Sequence, residues 1–282
     1  MPLRFTKMHG LGNDYVYISL FDQHVDDPPA LARAISDRHR GVGSDGLILV
    51  APPDDPGAHV RMVMYNADGL RAQMCGNGIR CLAKLAYERG LARANPLRVQ
   101  TDAGVLALDL LLGPDQHVSE VRVDMGEPVL DPRRIPASIA AERVVAHPLV
   151  LKGTTLPMTC VSLGNPHAVF FVPDLSAVPL ADWGPQIERH PLFPERINVH
   201  FAQILSPQLV RMITWERGAG ATLACGTGAS AVCVAGVLAG LTERQITAEL
   251  PGGALRLDWD EATNHVHMTG PAAEVFTGMW PK

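Results

Sequence analysis

The sequence has no excess of positive charge. In 282 residues, 24 Lys and Arg stand against 29 Asp and Glu, giving a net charge of -5 and a pI near 6.1. The basic footprint that nucleic-acid binding requires is therefore missing. No apolar run reaches the roughly eighteen residues of a membrane-crossing helix. The stretch from Met1 to Ile18 is broken by Arg4, Lys7, His9, Asn13 and Asp14, unlike the apolar core of a secretory signal. Cys75, Cys81, Cys160, Cys225 and Cys233 are an odd set with no C-x-x-C among them. That argues against a disulfide framework and a zinc ribbon and leaves reduced thiols as the expectation. No G-x-x-x-x-G-K-[ST], H-E-x-x-H or G-x-S-x-G occurs, and Gly76 and Gly78 lack the third glycine of a dinucleotide fingerprint. His265-Val266-His267 puts two imidazoles on one strand face with no carboxylate or cysteine ligand expected beside them, so no metal is expected. What remains is a cytoplasmic protein without nucleic-acid or membrane partners. Its 47% hydrophobic content suffices for one large domain or two of ordinary size.

What is present comes twice. Met74-Cys75-Gly76-Asn77-Gly78 reappears as Ala224-Cys225-Gly226-Thr227-Gly228, and each copy precedes a helical pattern. Ile79, Leu82, Leu85 and Ala86 repeat at helical spacing over 77–89 before Gly90; residues 229–241 carry no charge and close on Gly240, as a helix buried on all sides would. The repeat extends further. Gly12 and Gly164 lie 152 residues apart, Cys75 and Cys225 150, and Gly104 and Gly253 149, each pair in a similar local context. A duplication explains such constant offsets, and a period this long gives two similar domains rather than a solenoid. Strands are predicted at 15–18, 47–51, 61–65, 97–101, 105–111 and 118–125 in the first half, with a helix opening at Asp27-Pro28 and running to about Arg38. In the second half, 168–172 and 211–215 read as strands.

Cysteines at helix N-termini have a chemical consequence. Roughly half a positive charge and several unpaired N–H groups gather there, which lowers a thiol pKa and cradles an anion. If the halves face each other, two thiols flank one bound carboxylate from opposite sides. That arrangement suits removal of a proton from the neighbouring carbon on one face and its return on the other. Cys81 lies about 240° around the helix from Cys75 and reads as core, as do Cys160 and Cys233.

With these motifs in place, the chain resembles the diaminopimelate epimerases, pyridoxal-independent enzymes that interconvert LL- and meso-diaminopimelate on the route to lysine and peptidoglycan. The resemblance runs through Lys7-Met8-His9-Gly10-Leu11-Gly12-Asn13-Asp14, Asn66-Ala67-Asp68-Gly69, both Cys-Gly turns, Gly126-Glu127-Pro128, Leu163-Gly164-Asn165-Pro166-His167, Glu195-Arg196-Ile197-Asn198, Glu216-Arg217-Gly218-Ala219-Gly220 and Leu250-Pro251-Gly252-Gly253. It implies Cys75 and Cys225 as acid/base thiols and Gly76, Asn77, Gly226 and Thr227 as a backbone cradle for the reacting carboxylate. Asn13, Asn66, Asn165, Asn198, Glu216 and Arg217 would bind substrate, a diamino-dicarboxylate, and His167 and Glu216 would set thiol protonation. It also implies no cofactor, a homodimer, and two pseudo-symmetric α+β domains, each a mixed sheet curled round a central helix, with the active site in the cleft. The domains would span 1–122, joined by strands from about 268–282, and 123–267. Two departures stand out. Gly46 occupies a loop position where some members have Gln, and Ala221 replaces a common acid. The proline and hydroxyproline racemases share the two-thiol logic but have no use for the distal polar set, and an amino-acid-binding or redox-sensing protein is the non-enzymatic alternative.

Overall fold

The computed structural model describes residues 2–281, which fall into two compact units. One runs from the N-terminal strand to Val123 and takes in the residues from Thr269 onward; the other spans Asp124–Met268.

Ten elements come first in the chain: β1 (Leu3–Gly10), β2 (Asn13–Ser19), α1 (Pro28–Ser36), β3 (Gly46–Ala51), β4 (Val60–Asn66), β5 (Arg71–Ala72), α2 (Gly76–Glu88), β6 (Leu97–Thr101), β7 (Gly104–Leu112) and β8 (Val118–Asp124). They are followed by β9 (His147–Leu151), β10 (Thr154–Ser162), β11 (Pro166–Phe171), α3 (Leu180–Glu188), β12 (Asn198–Ser206), β13 (Leu209–Glu216), β14 (Gly220–Thr222), α4 (Gly226–Leu238), β15 (Gln245–Leu250), β16 (Gly253–Trp259), β17 (Val266–Pro271) and β18 (Ala273–Trp280).

The duplication read from the sequence reappears as one hydrogen-bonding diagram drawn twice. In the first unit β1 pairs antiparallel with β18 and β2, β2 runs parallel to β3, β3 antiparallel to β4, β4 parallel to β6, and β6 antiparallel to β7. In the second, β10 pairs antiparallel with β9 and β11, β11 runs parallel to β12, β12 antiparallel to β13, β13 parallel to β15, and β15 antiparallel to β16. Even the register matches: Tyr15 lies opposite Gly46 as His167 lies opposite Asn198. Each mixed sheet packs around one helix, α2 against β1, β2, β3, β4 and β7 and α4 against β10, β11, β12, β15 and β16. That central position explains the lack of charge in α4, where every residue from Ala229 to Gly236 is buried.

Both central helices start earlier than their apolar pattern suggests. The Gly-x-Gly residues after each cysteine already belong to the helix, which moves the starts to Gly76 and Gly226 and makes Cys75 and Cys225 the N-caps. Glycine leaves no apolar mark, so periodicity cannot see this first turn. α4 stops at Leu238, because Gly240 takes the left-handed φ of +69°. The first helix is capped by the Asp27 carboxylate, which accepts from Ala30 N at 3.0 Å, and stops at Ser36, short of Arg38. Gly46 is not in a loop but opens β3, and a Cβ there would stand 2.2 Å from Tyr65 O. The backbone leaves no room for a side chain at this position.

Candidate active site

In the first unit the site is built on the N-terminus of α2. The Cys75 Sγ accepts from Gly78 N at 3.4 Å and lies 3.4 Å from Asn13 Oδ1, to which the thiol donates. Asn13 is the first residue of β2, brought over the helix by a two-residue turn in which Leu11 and Gly12 have φ of 58° and 84°. Its Nδ2 donates to Asp45 Oδ2 at 2.7 Å. Behind it, Asp14 pairs with Lys7 and with Arg38 at 2.7 Å, and Arg38 reaches Asp45 at 2.9 Å. Burial works against the Asp14 carboxylate, but hydrogen bonds from Arg38 and Lys7 hold its pKa below the usual value. Burial raises that of Asp45. Asn13 is therefore fixed by a charged network that no single motif announces.

Beneath the same helix end lies Arg80, fully buried. Its guanidinium donates to Gly76 O at 3.1 Å, Asn77 Oδ1 at 3.0 Å and Pro271 O at 3.2 Å, and lies close enough to interact electrostatically with Cys75. The Asn77 side chain thus points inward, leaving its backbone N–H at the helix end. Asn66, the last residue of β4, is exposed. Cys81 is buried beside Tyr17, and burial pushes its thiol up to about 11.

The second unit repeats the plan with different electrostatics. At the position of Arg80 stands Ser230, whose hydroxyl donates to Gly226 O at 3.0 Å, the same contact without the charge. Cys225 is 4% exposed, and its Sγ lies 3.6 Å from Thr227 Oγ1. Its pKa runs opposite to the helix-terminus expectation. Burial and the Glu216 carboxylate push the thiol well above its ordinary value, against the lowering contacts from Thr227 and Gly228. Glu216 Oε1 accepts from Thr222 Oγ1 at 2.6 Å, across the short β13–β14 pairing.

Glu216, Thr227 and Gly228 act on Cys225, and His167 faces Asn165 Oδ1 at 2.9 Å and His200 Nε2 at 2.8 Å. Burial, with His200 and Arg217 adding, keeps its imidazole well below the usual value. Asn198, buried, donates from Nδ2 to Pro166 O and accepts Arg217 N at Oδ1, both at 2.9 Å, so it anchors the segment carrying Arg217. The exposed Arg217 guanidinium donates to Glu195 O at 3.1 Å. Sequence reasoning missed His200, although it lies two residues after Asn198 on one strand and so shares its face.

The remaining histidines carry a correction. A carboxylate does lie beside His265: Asp124 Oδ2, 2.8 Å from Nδ1, raises the imidazole pKa through that hydrogen bond. The pair is an ion pair, and among the described residues no group of three or more ligands could hold a metal.

The fold matches that of a probable proline racemase from Agrobacterium radiobacter K84 (TM-score 0.72, 15% identity, 98% of this chain and 92% of that one). It also matches a phenazine biosynthesis protein of the PhzF family from Bacillus anthracis (TM-score 0.71, 15% identity, both chains covered in full). At such identity only the fold is shared. Curated diaminopimelate epimerases are far more similar. Those of Pelotomaculum thermopropionicum and Acetivibrio thermocellus are 51% and 49% identical over 99% and 98% of this chain, with the same shares of their own lengths, and that of Methanococcus maripaludis strain C6 is 45% identical over 98% of this chain and 99% of its own. The diaminopimelate epimerase profile matches residues 5–130 and 159–275, one stretch in each half and each holding one of the two capping cysteines, so the chain belongs to the diaminopimelate epimerase family.

Proposed function

We propose that this protein is a diaminopimelate epimerase that interconverts the LL and meso isomers by two-thiol proton transfer without a cofactor. The observation that carries the reading is the matched pair of cysteines, each the N-cap of a central helix. The N–H groups of Gly76, Asn77, Gly226 and Thr227 lie at those helix ends, where a substrate carboxylate is stabilised as negative charge develops on it. The proton beside a carboxylate is a very weak acid, so its removal needs a base in contact and water kept out. Cys75 and Cys225 then act on opposite faces of one carbon, which inverts its configuration without the substrate turning over.

Turnover requires one thiol ionised and the other protonated. Burial and Glu216 hold Cys225 in its protonated form. When the charge falls on Cys75, it meets Gly78 N, the end of α2 and the buried Arg80. Asn13 positions Cys75, and Asn66, Asn165, Asn198 and Arg217 serve the distal ammonium and carboxylate, Arg217 as a fork suited to a carboxylate. The enzyme works in the reducing cytoplasm as a homodimer. β18 leaves Val275, Phe276 and Met279 exposed, apolar surface that a second copy would cover; no described helix is long and apolar enough to cross a membrane.

Incubation of LL-diaminopimelate with the purified protein, followed by NMR, tests the reading. The meso isomer should accumulate until the ratio is constant, while L-proline and trans-4-hydroxy-L-proline stay unchanged. Turnover of the imino acids alone would move the protein to the racemase reading, and no turnover of any would make it a binding or redox protein.

A further inference from the structure

One buried polar chain in the second unit is not explained by the thiol chemistry. Thr214 on β13 lies 3.0 Å from His200 Nδ1, His200 Nε2 lies 2.8 Å from His167 Nδ1, and His167 Nε2 lies 2.9 Å from Asn165 Oδ1. Both histidines are fully buried and Thr214 is 2% exposed. Burial lowers both imidazole pKa values, that of His200 to about 3. Each ring is thus neutral, with one donor nitrogen and one acceptor nitrogen.

The two ends of this chain fix its direction. At one end, the Thr214 hydroxyl has His200 Nδ1 as its only hydrogen-bond partner among the described residues. If it accepted there, its own hydrogen would be buried without an acceptor, which is unfavourable. Thr214 therefore donates to His200 Nδ1, which places the His200 proton on Nε2 and makes His167 Nδ1 the acceptor. The His167 proton must then sit on Nε2, where it is donated to Asn165. At the other end, Asn165 Oδ1 faces His167 and accepts that proton. The two ends agree.

We propose that His200 is a positioning residue that sets the tautomer of His167 and, through it, the orientation of the Asn165 amide. With Oδ1 held by His167, Asn165 offers outward the two N–H donors of Nδ2. It is thereby committed to an anionic group of the substrate, a carboxylate rather than the ammonium. Packing reinforces this: a Cβ on Gly228 would stand 2.2 Å from His200 Cε1, so the first turn of α4 rests on the same ring. At the matching place in the first unit, Gly78 rests on the apolar Ile48 instead of an imidazole. The inference rests on the epimerase reading for its substrate but not for its tautomers.

Long-range proton–nitrogen NMR on histidine-labelled protein reads the tautomers directly, with His200→Gln and His200→Leu used for assignment and kinetics. In the unsubstituted protein both His167 and His200 should be neutral with the proton on Nε2. Gln keeps an acceptor for Thr214 and a donor for His167, so KM for LL-diaminopimelate should stay within about 3-fold. Leu removes both, and KM should rise about 10-fold, the worth of one hydrogen bond to a charged group, with a smaller change in kcat. A proton on His167 Nδ1, a doubly protonated ring, or a wild-type KM in His200→Leu would each overturn the proposal. If the Leu variant fails to fold, the tautomers of the unsubstituted protein decide alone. An inactive protein with the expected tautomers would refute the epimerase reading and leave the relay standing.

Discussion

Substituting Gly228 by Ala probes how tightly the second cysteine turn is built. The added Cβ would lie 2.2 Å from His200 Cε1 and 2.8 Å from both ring nitrogens, against an ordinary carbon–carbon contact of about 3.5–4.0 Å. The ring cannot recoil, because it is fully buried and hydrogen-bonded at both nitrogens. Forced overpacking of this kind costs about 1–3 kcal/mol, and moving the ring strains a hydrogen bond worth about 1 kcal/mol. Against this, Gly→Ala within a helix gains up to about 1 kcal/mol. The balance is a loss of about 1–3 kcal/mol, read as a lower urea midpoint at unchanged slope. Gly78→Ala is the internal control. Its Cβ would meet Ile48 Cδ1 at 2.7 Å, the far end of a flexible side chain that can rotate away, so its net cost should stay under about 1 kcal/mol. Equal midpoints for the two variants would refute the claim that His200 is wedged beneath α4.

Three further outcomes follow from the same geometry. Arg80→Met removes the buried donor to Gly76 O, Asn77 Oδ1 and Pro271 O and should cost about 2–4 kcal/mol in denaturant unfolding, more than Ser230→Ala at the matching place. Glu216→Gln removes the anion beside Cys225, so its thiol pKa should fall and Cys225 should alkylate faster at pH 8 in a Cys75→Ser background. Stability should decline at both ends of the pH range. Below about pH 6.5 the unfolded chain binds protons that buried His167 and His200 refuse, so stability drops as pH falls. Above about pH 8.5 the unfolded thiols ionise while buried Cys81, at about 11, and Cys160 and Cys233, at about 12, keep their protons, so stability drops as pH rises, by up to about 1.4 kcal/mol per pH unit for each. Cys160→Ala should flatten the alkaline limb, and an unchanged limb would contradict this assignment.

The duplication was legible because the two Cys-Gly turns and their spacing survive in the letters, and α2 advertises itself through apolar periodicity. The first helical turns were not, since Gly76, Gly78, Gly226 and Gly228 leave no periodic mark. Several strands were also silent. β1 reads Leu-Arg-Phe-Thr-Lys-Met-His-Gly, with Lys7 buried by its pairing to Asp14 and Gly43, so polar letters hide an interior strand. β18 exposes apolar residues, the reverse of the usual pattern. At the site, the cysteines and asparagines stood in recognisable motifs, but the groups that govern them did not. Arg80 reads as a helix-surface charge, and Asp45, Thr214 and His200 act through neighbours that only folding supplies. The opposite pKa direction of Cys225 has the same origin: a helix end is visible in sequence, whereas burial beside Glu216 is not.

The most direct test of the two-thiol account is the isotope pattern in deuterium oxide. When LL-diaminopimelate is converted in D₂O and sampled early, the meso product should carry deuterium at the inverted carbon while recovered substrate carries little, because the proton removed on one face is not the one returned on the other. Cys75→Ser and Cys225→Ser should each lower the rate by orders of magnitude, and Cys81→Ser and Cys233→Ser should leave the chemistry in place. Product that keeps the original proton, or a Cys225→Ser variant that epimerises at the unsubstituted rate, would contradict the account.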